Sequence, residues 1–576
     1  MAGATRGRLL QAPASVAAAS FDAGEIAARL AEGRVPPAAA AATAEDAQGL
    51  ASGAWLYRIT LAPGESREFG WTSALSGALP EWRKPFPGIA LLRHQQEATA
   101  ARWRDALDRV HFRVPAQGQP LVDTLRTATA HMLISRIGPR LQPGTRSYAR
   151  SWIRDGAMIS EGLLRLGRDD VVRDFVQWYA PYQFASGKVP CCVDARGSDP
   201  VPENDSHGEL IFNIAEYARY TGDMPFLTSM WPHVRGAFSY MEVLRASERT
   251  EANRARNPAF YGMMPASISH EGYSAKPMHA YWDDFWALRG YDDAVAVASM
   301  LGKNEDEKVM AAARDQFRAD LDASLHSAVT AHGLDYLPGS AELGDFDPTS
   351  TTIALAPGNA QGWLPAAQLD GTFQRYWREF EQRRDGQREW KDYTPYEWRN
   401  VAAFVRLGWR ERAWQATAFF FRDRQPQGWN QWAEVVSRTP RTPFFVGDLP
   451  HAWVASDFVR SALDMFAYER GGDASLVLAA GIPSDWLDGE GIAVDGLRTP
   501  YGRLAYSLRR TDGVLRLEVS GAGLRPPPGG LVLPWPYADG VPGRTTIDGR
   551  PAAWHDGELR IPVPARVDIA VPQPAR

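Results

Sequence analysis

The chain has 576 residues and a nearly balanced charge, with 63 basic and 68 acidic side chains. This balance excludes the basic excess typical of proteins that bind polyanions. A composition of 45% apolar and 23% charged residues excludes a disordered or fibrous chain. No uninterrupted apolar stretch reaches the roughly 18–20 residues that cross a bilayer. Tryptophan is frequent, with 21 residues against 12 methionines, and indole rings suit both a large core and stacking on sugars.

The cysteines and the N-terminus bear on redox chemistry and compartment. Cys191 and Cys192 are adjacent, and a disulfide between neighbours is strained, so we expect buried thiols rather than a disulfide framework or a cysteine-based metal site. Near the N-terminus, Arg6 and Arg8 precede an Ala-rich run that is interrupted too early for a convincing signal peptide. We therefore expect a cytoplasmic protein by default, and a periplasmic or secreted one if this N-terminus is truncated.

Residues 1–115 are predicted to form a partial β-hairpin region followed by a helical linker. The Ala-rich first part receives no assignment. Between Trp55 and Trp71, two runs of alternating apolar residues flank Pro63-Gly64, a pattern typical of a hairpin. A lone hairpin is marginally stable, so these strands need more sheet or a helical partner. A polar helix over residues 94–111 is predicted to connect this region to the rest.

Residues 116–473 carry helical signals with one recurring pattern. A helix ends in Gly, a short polar turn follows and a second helix begins, as at Gly167, Gly222, Gly302 and Gly408. The pattern predicts about twelve helices in six hairpins. Short turns at one end and long loops at the other favour a closed double ring, an (α/α)6 barrel. A stacked solenoid is the competing architecture, but the sequence shows no constant repeat length.

Residues 474–576 change to strand patterns. Leu504 to Leu508 and Leu515 to Val519 alternate in hydropathy on either side of Asp512-Gly513, and two further Asp-Gly turns follow. The sequence predicts a small antiparallel β-domain that packs against the helices and does not carry the reaction.

Five segments at the predicted loop ends hold more polar and aromatic residues than a core needs. They are 151–156, 202–208, 281–286, 342–347 and 428–434. Apolar surroundings raise a carboxyl pKa and keep a proton available near neutral pH, as a general acid requires. Hydrolysis of a glycoside needs one protonated carboxyl at the leaving oxygen and one carboxylate across the anomeric carbon. Carboxylates set among indole rings therefore point to a carbohydrate site.

Each of these residues also has a structural interpretation. Asp155, Asp205 and Asp283 each precede an apolar periodic run, where Asp caps a helix and favours the positive end of its dipole. Arg154 beside Asp155 fits an ion pair, and the aromatic residues around Asp283 fit a core. The combination of these motifs at several hairpin ends favours the sugar site over the separate structural roles.

Two motifs resemble a known group of enzymes. The segment 151–166, SWIRDGAMISEGLLRL, resembles the Trp-x-Arg-Asp-(Gly/Ser)-Ala entry helix of glucoamylase-like enzymes, which are six-hairpin glycosidases with an (α/α)6 barrel. The resemblance implies that Arg154 and Asp155 hydrogen-bond the sugar at the cleaved end. Tyr281-Trp282-Asp283-Asp284 resembles the Leu-Trp-Glu-Glu of glucoamylases and the Trp-Asp of trehalase-like relatives. This implies the role of general acid for Asp283, although glucoamylases have Glu there.

The resemblance extends to the predicted base. Glu434, followed after a loop by Pro450-His451-Ala452-Trp453, is similar to the glucoamylase base, a Glu before a loop and a Ser-His-Ala helix start. It implies that Glu434 activates water. The motifs cover residues 145–470 in patches, and a C-terminal β-domain is also common in the superfamily.

The sequence therefore predicts a glycoside hydrolase that cleaves an oligo- or polysaccharide at an α-linked bond with inversion. Asp283 is predicted as the general acid and Glu434 as the general base. No metal or cofactor is expected, because HExxH, paired CxxC and Gly-rich phosphate-loop motifs are absent from the sequence, and neither nucleic acid nor a membrane is expected as a partner. The predicted substrate-binding residues are Trp152, Arg154, Asp155, Asp205, His207, Trp282, Asp284, Trp286, Asp347, Trp432 and His451.

The sequence leaves alternatives open. Further carboxyls that either react or only bind sugar are Glu203, Asp205, Glu342, Asp345, Asp347 and Asp448. Helical toroids also carry phosphorylases and polysaccharide lyases, and a lyase site would use Tyr and His near an arginine, for which His207, Tyr281, Tyr396 and Arg399 are available. A non-catalytic sugar-binding protein is the alternative outside enzymes.

Overall fold

The computed structural model describes residues 7–24, 26–34, 43–75, 77, 79, 88–424, 427–439, 448–521, 523–538, 540–562 and 565–571. The chain divides into two compact units, Met1–Ala106 and Leu107–Arg576. Within the described ranges, no helix combines the length and the apolar character that a membrane crossing requires.

The first unit contains two small antiparallel sheets. Strand β1 (Gly7–Leu9) pairs with β4 (Trp71–Ser73), and β2 (Ser15–Ala19) pairs with β3 (Ser52–Leu56). The single hairpin predicted between Trp55 and Trp71 is therefore wrong, since its two halves pair with strands from the Ala-rich segment that received no assignment. The small side chains of β2 pack closely against helix α1 (Ile26–Ala31). Helix α2 (Ile89–Leu107) begins and ends earlier than predicted.

The second unit is built on helices. In chain order they are α3 (Gln119–Ile134), α4 (Ile153–Arg165), α5 (Asp169–Tyr179), α6 (Ser206–Thr221), α7 (Met224–Glu248), α8 (Glu251–Arg256), α9 (Tyr281–Met300), α10 (Asn304–His332), α11 (Pro348–Leu355), α12 (Ala366–Arg384), α13 (Trp398–Arg406), α14 (Arg410–Arg422) and α15 (Ala452–Phe466).

Six of these helices form a closed inner ring. Neighbours pack in the order α4, α6, α9, α11, α13, α15 and back to α4, while α3, α5, α7, α10, α12 and α14 pack outside them. This is the predicted (α/α)6 barrel, and a closed ring excludes the solenoid. The inner helices α4 and α15 are buried along their whole length, as expected of helices enclosed by an outer layer.

The predicted glycine turns are confirmed. Gly167, Gly222, Gly302 and Gly408 have φ of 78°, 70°, 64° and 78°, in the left-handed region that glycine reaches without a steric penalty. Because a loop precedes each inner helix, the inner helices all begin at one end of the barrel. We call it the loop end, and the opposite end, where the tight turns lie, the turn end. The positive ends of the inner helix dipoles meet at the loop end.

The C-terminal part forms the predicted β-domain from two sheets. The strands are β5 (His111–Arg113), β11 (Ala467–Arg470), β12 (Ser475–Leu478), β13 (Ile492–Thr499), β14 (Gly502–Thr511), β15 (Val514–Ser520), β16 (Leu531–Pro534), β17 (Thr545–Ile547), β18 (Arg550–Pro551), β19 (Glu558–Ile561) and β20 (Ala565–Ala570). The larger sheet has the order β18-β17-β20-β15-β14-β13-β5, and the smaller one the order β11-β12-β16-β19, in which β12 and β16 pair in parallel. Strands β5 and β11 thus come from outside residues 474–576.

Short strands also lie within the barrel loops. A three-stranded sheet consists of β6 (Ser151–Trp152), β7 (Cys192–Asp194) and β8 (Gly197–Ser198), and β9 (Asp392–Tyr393) pairs with β10 (Val436–Ser437). Strand β6 runs directly into α4 and holds Trp152 beside Cys192. These strands fix the loops at the end of the barrel where the inner helices begin.

Candidate active site

The loop end of the barrel collects most of the residues singled out from the sequence. Each inner helix begins there, so residues at or just before a first turn are brought to one region. They are Arg154 and Asp155 of α4, Asp205 before α6, Asp283 and Asp284 of α9, Asp347 before α11, Arg399 of α13 and His451 before α15.

Glu434, the predicted base, is held between two tyrosines. The hydroxyls of Tyr148 and Tyr396 donate to its carboxylate at 2.5 and 2.9 Å, and the His451 Nε2 atom lies 3.7 Å away. Burial raises the pKa of Glu434, while the two tyrosine hydroxyls lower it in part. Its side chain keeps 17% of its surface exposed. A fixed, partly accessible carboxylate of this kind is suited to accept a proton from water.

Asp448 positions one of these tyrosines. Its carboxylate accepts hydrogen bonds from the backbone N–H groups of Arg146, Ser147 and Tyr148 at 2.8, 3.0 and 3.1 Å. Burial alone would raise the pKa of Asp448, but these backbone donors bring it below its usual value. Asp448 thereby holds the loop that carries Tyr148.

Tyr148, Tyr396 and Glu434 together are called the Glu434 clamp. Beside it lies a buried series of ion pairs and hydrogen bonds, which we call the ionic chain. The Arg154 guanidinium donates to Glu203 at 2.5 Å and to Asp205 at 3.3 Å, and the Trp282 indole N–H donates to Asp205 at 2.8 Å. Burial raises the pKa of Glu203 to about 7, with Arg154 opposing the rise and Asp205 and Glu271 adding to it. Glu203 was one of the open alternatives, and the structure joins it directly to the predicted sugar-binding arginine.

Asp155 has an unpaired oxygen in this region. Its Oδ1 atom is buried and has no hydrogen-bond partner among the described residues. Burial raises the pKa of Asp155 to about 8, Arg154 lowers it, and the charges of Glu271 and Glu434 raise it further. A buried acceptor without a partner is costly, and a sugar hydroxyl is a group that would satisfy it.

Asp283, the predicted acid, is closed off by hydrogen bonds. The Ser267 hydroxyl donates to its Oδ2 atom at 2.6 Å and the Ser269 hydroxyl to its Oδ1 atom at 2.7 Å. The residue is 1% exposed, and burial, aided by Asp205, raises its pKa well above the usual value. The neighbouring Asp284 is also buried and accepts the backbone N–H of Met264 at 2.9 Å.

His270 links Asp347 to the ionic chain. Its ring lies against the Trp282 ring with centroids 4.6 Å apart, and its Nε2 atom is 3.9 Å from Asp347. Asp347 caps α11 by accepting the backbone N–H of Ser350 at 3.0 Å. Burial lowers the pKa of His270 to about 4, so the ring is neutral near pH 7.

The other two open carboxyls support the same loops. Glu342 accepts the backbone N–H of His279 at 3.0 Å and is 2.6 Å from its Nδ1 atom. Asp345 accepts the Ser340 hydroxyl at 2.7 Å and the Tyr273 hydroxyl at 2.9 Å. Both carboxylates hold the segment that leads into α9.

Three predicted sugar-binding residues lie in the packed interior and do not line the site. His207 is fully buried and its Nδ1 atom accepts the backbone N–H of Val189 at 3.2 Å. Trp286 packs against Phe212, and Trp432 donates to the Phe420 carbonyl at 2.8 Å inside an aromatic cluster. Helical spacing places aromatic side chains in a core as readily as in a pocket, so the sequence pattern does not distinguish the two positions.

The structure brings together only part of the set proposed for a lyase. Tyr281 is buried, with its hydroxyl 2.9 Å from the Ser324 hydroxyl, and His207 is buried elsewhere, as described above. Arg399 pairs with Asp457 at 2.9 Å and lies over the rings of Tyr396 and Trp453. The structure thus brings Tyr396 and Arg399 together, with the arginine already paired to a carboxylate, while Tyr281 and His207 are buried elsewhere.

Trp152 lies at the rim of the candidate site. The ring is half-buried, lies 6.1 Å from the Tyr148 ring and has the Arg150 guanidinium 5.4 Å from its centroid. Among the predicted indoles it is the one with a partly open face near the Glu434 clamp.

Sequence reasoning missed Glu271 and the role of Tyr148. Glu271 lies between the predicted segments, in Ser269-His270-Glu271-Gly272, and it is exposed. Its charge contributes to the raised pKa values of Asp155, Glu203 and Glu434, after burial in each case. An acidic residue beside His and Gly in a long loop before an inner helix was the signal available in the sequence.

One group within the described part of the chain has the donors of a metal site. Donor atoms of Cys191, Cys192 and Asp199 lie within 4.8 Å of one another. Arg150 forms an ion pair with Asp199, and a guanidinium at this position opposes the binding of a second cation. We therefore assign no metal to this group.

Comparisons with known proteins support the fold. No protein-family model matches the chain, and no curated protein matches it. Among solved structures, an α-L-rhamnosidase from Dictyoglumus thermophilum matches with a TM-score of 0.54 and 10% identity, over 80% of this chain and 50% of that one. A rhamnosidase of family GH78 from Bacillus sp. GL1 matches with a TM-score of 0.50 and 12% identity, over 71% and 41%.

A third match is the Streptomyces avermitilis α-L-rhamnosidase complexed with L-rhamnose, with a TM-score of 0.50 and 12% identity, over 80% of this chain and 42% of that one. The chain thus spans half or less of the length of these three structures. At these identities the similarity establishes the shared helical barrel with β-domains. These matches are rhamnosidases, so a nearest relationship to glucoamylases or trehalases is not confirmed.

Proposed function

We propose that the protein hydrolyses O-glycosidic bonds of an oligo- or polysaccharide, with Glu434 as the base that activates water. The observation that carries the proposal is the Glu434 clamp, in which two tyrosine hydroxyls orient a carboxylate with a raised pKa. Acidic residues with raised pKa values lie in the same region. Besides the base, hydrolysis requires a second carboxyl at this site that protonates the leaving oxygen.

The sugar would be held by the groups around Asp155. Arg154 is fixed by Glu203 and Asp205, while the free Oδ1 atom of Asp155 is left to accept a hydroxyl hydrogen bond. Trp152 offers a half-buried ring at the rim, and an aromatic face of this kind packs against the C–H face of a sugar. Fixed partners of this kind orient a substrate before reaction, which lowers the barrier.

We further propose that the reaction proceeds with inversion at an α-linked bond. The glucoamylase-like motifs support this stereochemistry, and the rhamnosidase names of the matched structures point to α-L-rhamnosides as additional candidates. Inversion requires the acid and the base to be roughly 6.5–9.5 Å apart, with room for one water.

The test is a substrate panel of α-linked and β-linked oligosaccharides that includes α-glucosides and α-L-rhamnosides. We expect release of free sugar without added phosphate, with the first product anomer, observed by NMR before mutarotation, inverted relative to the substrate. A strict requirement for inorganic phosphate would indicate a phosphorylase. An unsaturated product that absorbs near-ultraviolet light would indicate a lyase, and binding without turnover would indicate a non-catalytic protein. Each of these results would contradict the proposal.

A further inference from the structure

Residues 267–274, which we call the 267–274 loop, are anchored on Asp283. Both oxygens of that carboxylate are taken by the Ser267 and Ser269 hydroxyls, and the Ser269 N–H donates to the Ser267 Oγ atom at 2.7 Å. These bonds lie immediately before Glu271 in the chain. The residue predicted as the acid therefore acts as a support for a neighbouring segment.

Three more contacts fix the same loop from other sides. The His270 ring lies on Trp282, the Ile268 N–H donates to the Pro202 carbonyl at 3.3 Å, and the Tyr273 hydroxyl donates to Asp345 at 2.9 Å. Asp283 thus holds the loop before Glu271, and Asp345, one of the carboxyls that the sequence left open, holds it after Glu271.

Glu271 is the exposed carboxylate within this supported loop. Its backbone has φ of 66°, in the left-handed region that non-glycine residues rarely adopt. Such a conformation persists where the surroundings impose it, frequently at functional sites. The anchors on either side supply that constraint, and the Glu271 side chain is exposed.

The electrostatic neighbours of Glu271 belong to the candidate active site. Beyond the effect of burial, its charge raises the pKa of Glu434, of Asp155 and of Glu203. Contacts of the loop point to the same place. The His270 ring, next to Glu271 in the chain, lies on Trp282, whose indole N–H donates to Asp205. Asp205 also accepts from Arg154, which is adjacent to Asp155 in the chain. Asp283 has Asp205 and Glu203 as its main acidic neighbours.

We propose that Glu271 is the general acid of the reaction and that Asp283 is a positioning residue that holds its loop, an inference that rests on the proposed hydrolysis. The Glu271 carboxyl gives its proton to the glycosidic oxygen as the bond from that oxygen to the anomeric carbon breaks, and the electron pair of that bond stays on the leaving oxygen. Water bonds to the anomeric carbon and gives its proton to Glu434.

The test uses two substrates with the same sugar, once the panel has identified it. One has a sugar as leaving group and the other has 2,4-dinitrophenol, which leaves without protonation. For Glu271→Gln we expect kcat on the sugar-leaving substrate to fall by about 10²–10⁴-fold, with less than about a tenfold loss on the dinitrophenyl glycoside. Glu305→Gln, a change at an exposed glutamate on α10, is the matched control and should leave both rates unchanged.

Asp283→Asn separates the two roles. A residue that acts through Glu271 should lower the rate mainly on the sugar-leaving substrate, because a displaced loop misplaces the acid. Adding Asp283→Asn to Glu271→Gln should then cause no further loss on either substrate. If Asp283→Asn does not fold, Ser267→Ala combined with Ser269→Ala removes the same anchors and is expected to give the same pattern. An equal loss on both substrates, or a further loss when the changes are combined, would overturn the assignment, and so would full activity of Glu271→Gln on both substrates. Failure of the wild-type protein to release sugar from any substrate would instead contradict the proposed function itself.

Discussion

The two ends of the inner helical ring both contain buried charges, but they arrange them differently. At the turn end, Arg165 and Arg406 each bond to Asp464 at 2.8 Å, and Arg219 bonds to Asp293 at 2.6 Å. These residues surround or adjoin a cavity of about 50 Å³. Burial alone would raise the pKa of Asp464, yet the two arginines hold it below its usual value.

At the loop end, the acidic groups are not neutralised to the same extent. The pKa of Asp155 rises to about 8 and that of Glu203 to about 7, in each case mainly through burial, and burial also raises the pKa of Glu434. Among the described residues of the turn end, burial also raises the pKa of Asp292, and it raises that of Glu469 to about 7. A buried carboxylate that is paired with arginines stays ionised and supports the structure. A carboxyl with a raised pKa can instead exchange a proton near neutral pH.

Helix α15 connects the two ends and makes them comparable. His451 precedes it beside Glu434, and Asp464 lies near its far end. At a rise of 1.5 Å per residue the helix is about 22 Å long. A carboxylate changed to an amide at either end therefore makes a matched pair of variants.

Glu434→Gln is expected to have the largest effect on activity. The amide cannot accept the proton of water, so kcat should fall by about 10²–10⁴-fold, while the unfolding midpoint in urea stays near that of the wild type. Steady-state kinetics on the substrate found in the panel gives the first value, and urea denaturation followed by circular dichroism the second. Near-full turnover by the variant would assign the base to another carboxyl.

Asp464→Asn should have the reverse effect. Removing this charge leaves two buried arginines without their shared carboxylate, and breaking a buried pair in this way costs about 3–5 kcal/mol of unfolding free energy. The rate per folded molecule should be unchanged, because the residue lies at the far end of the barrel. A destabilisation below about 0.5 kcal/mol would show that the turn-end network does not stabilise the fold.

Tyr148→Phe and Tyr396→Phe are expected to have smaller effects that depend on pH. Each change removes a hydroxyl that lowers the pKa of Glu434, so that pKa should rise. Because the base works deprotonated, the acidic limb of kcat/KM should move to higher pH, by about one unit for each 1.4 kcal/mol of lost hydrogen bond. The rates should approach the wild-type value at pH above the limb. An unshifted limb in both variants would mean that the hydroxyls do not tune Glu434.

The double ring could be predicted from the sequence because its signals are local. The glycines at 167, 222, 302 and 408 end helices because glycine adopts the left-handed conformation without a steric penalty. The two helices of each hairpin are also consecutive in the chain. The pairing of β3 with β2 and of β4 with β1 could not be predicted from the sequence, because strand partners that are distant in sequence leave no local signal.

The candidate site was predictable in part for the same reason. Arg154, Asp155 and Glu434 stand in motifs that predict their place, and the structure brings the three to the loop end. The role of Asp283 could not be read from its motif, because an Asp in the first turn of a helix looks the same whether it faces a cavity or is closed off. Only the path of the chain through Ser267 and Ser269 shows that both of its oxygens are occupied.

The most direct measurement is a crystal structure of Glu434→Gln soaked with the substrate found in the panel. Our account predicts an intact glycoside at the loop end, with a hydroxyl on Asp155, the scissile oxygen next to Glu271 and a water between residue 434 and the anomeric carbon. A sugar bound outside the loop end, or one whose scissile oxygen meets Asp283 while Glu271 points away, would contradict it.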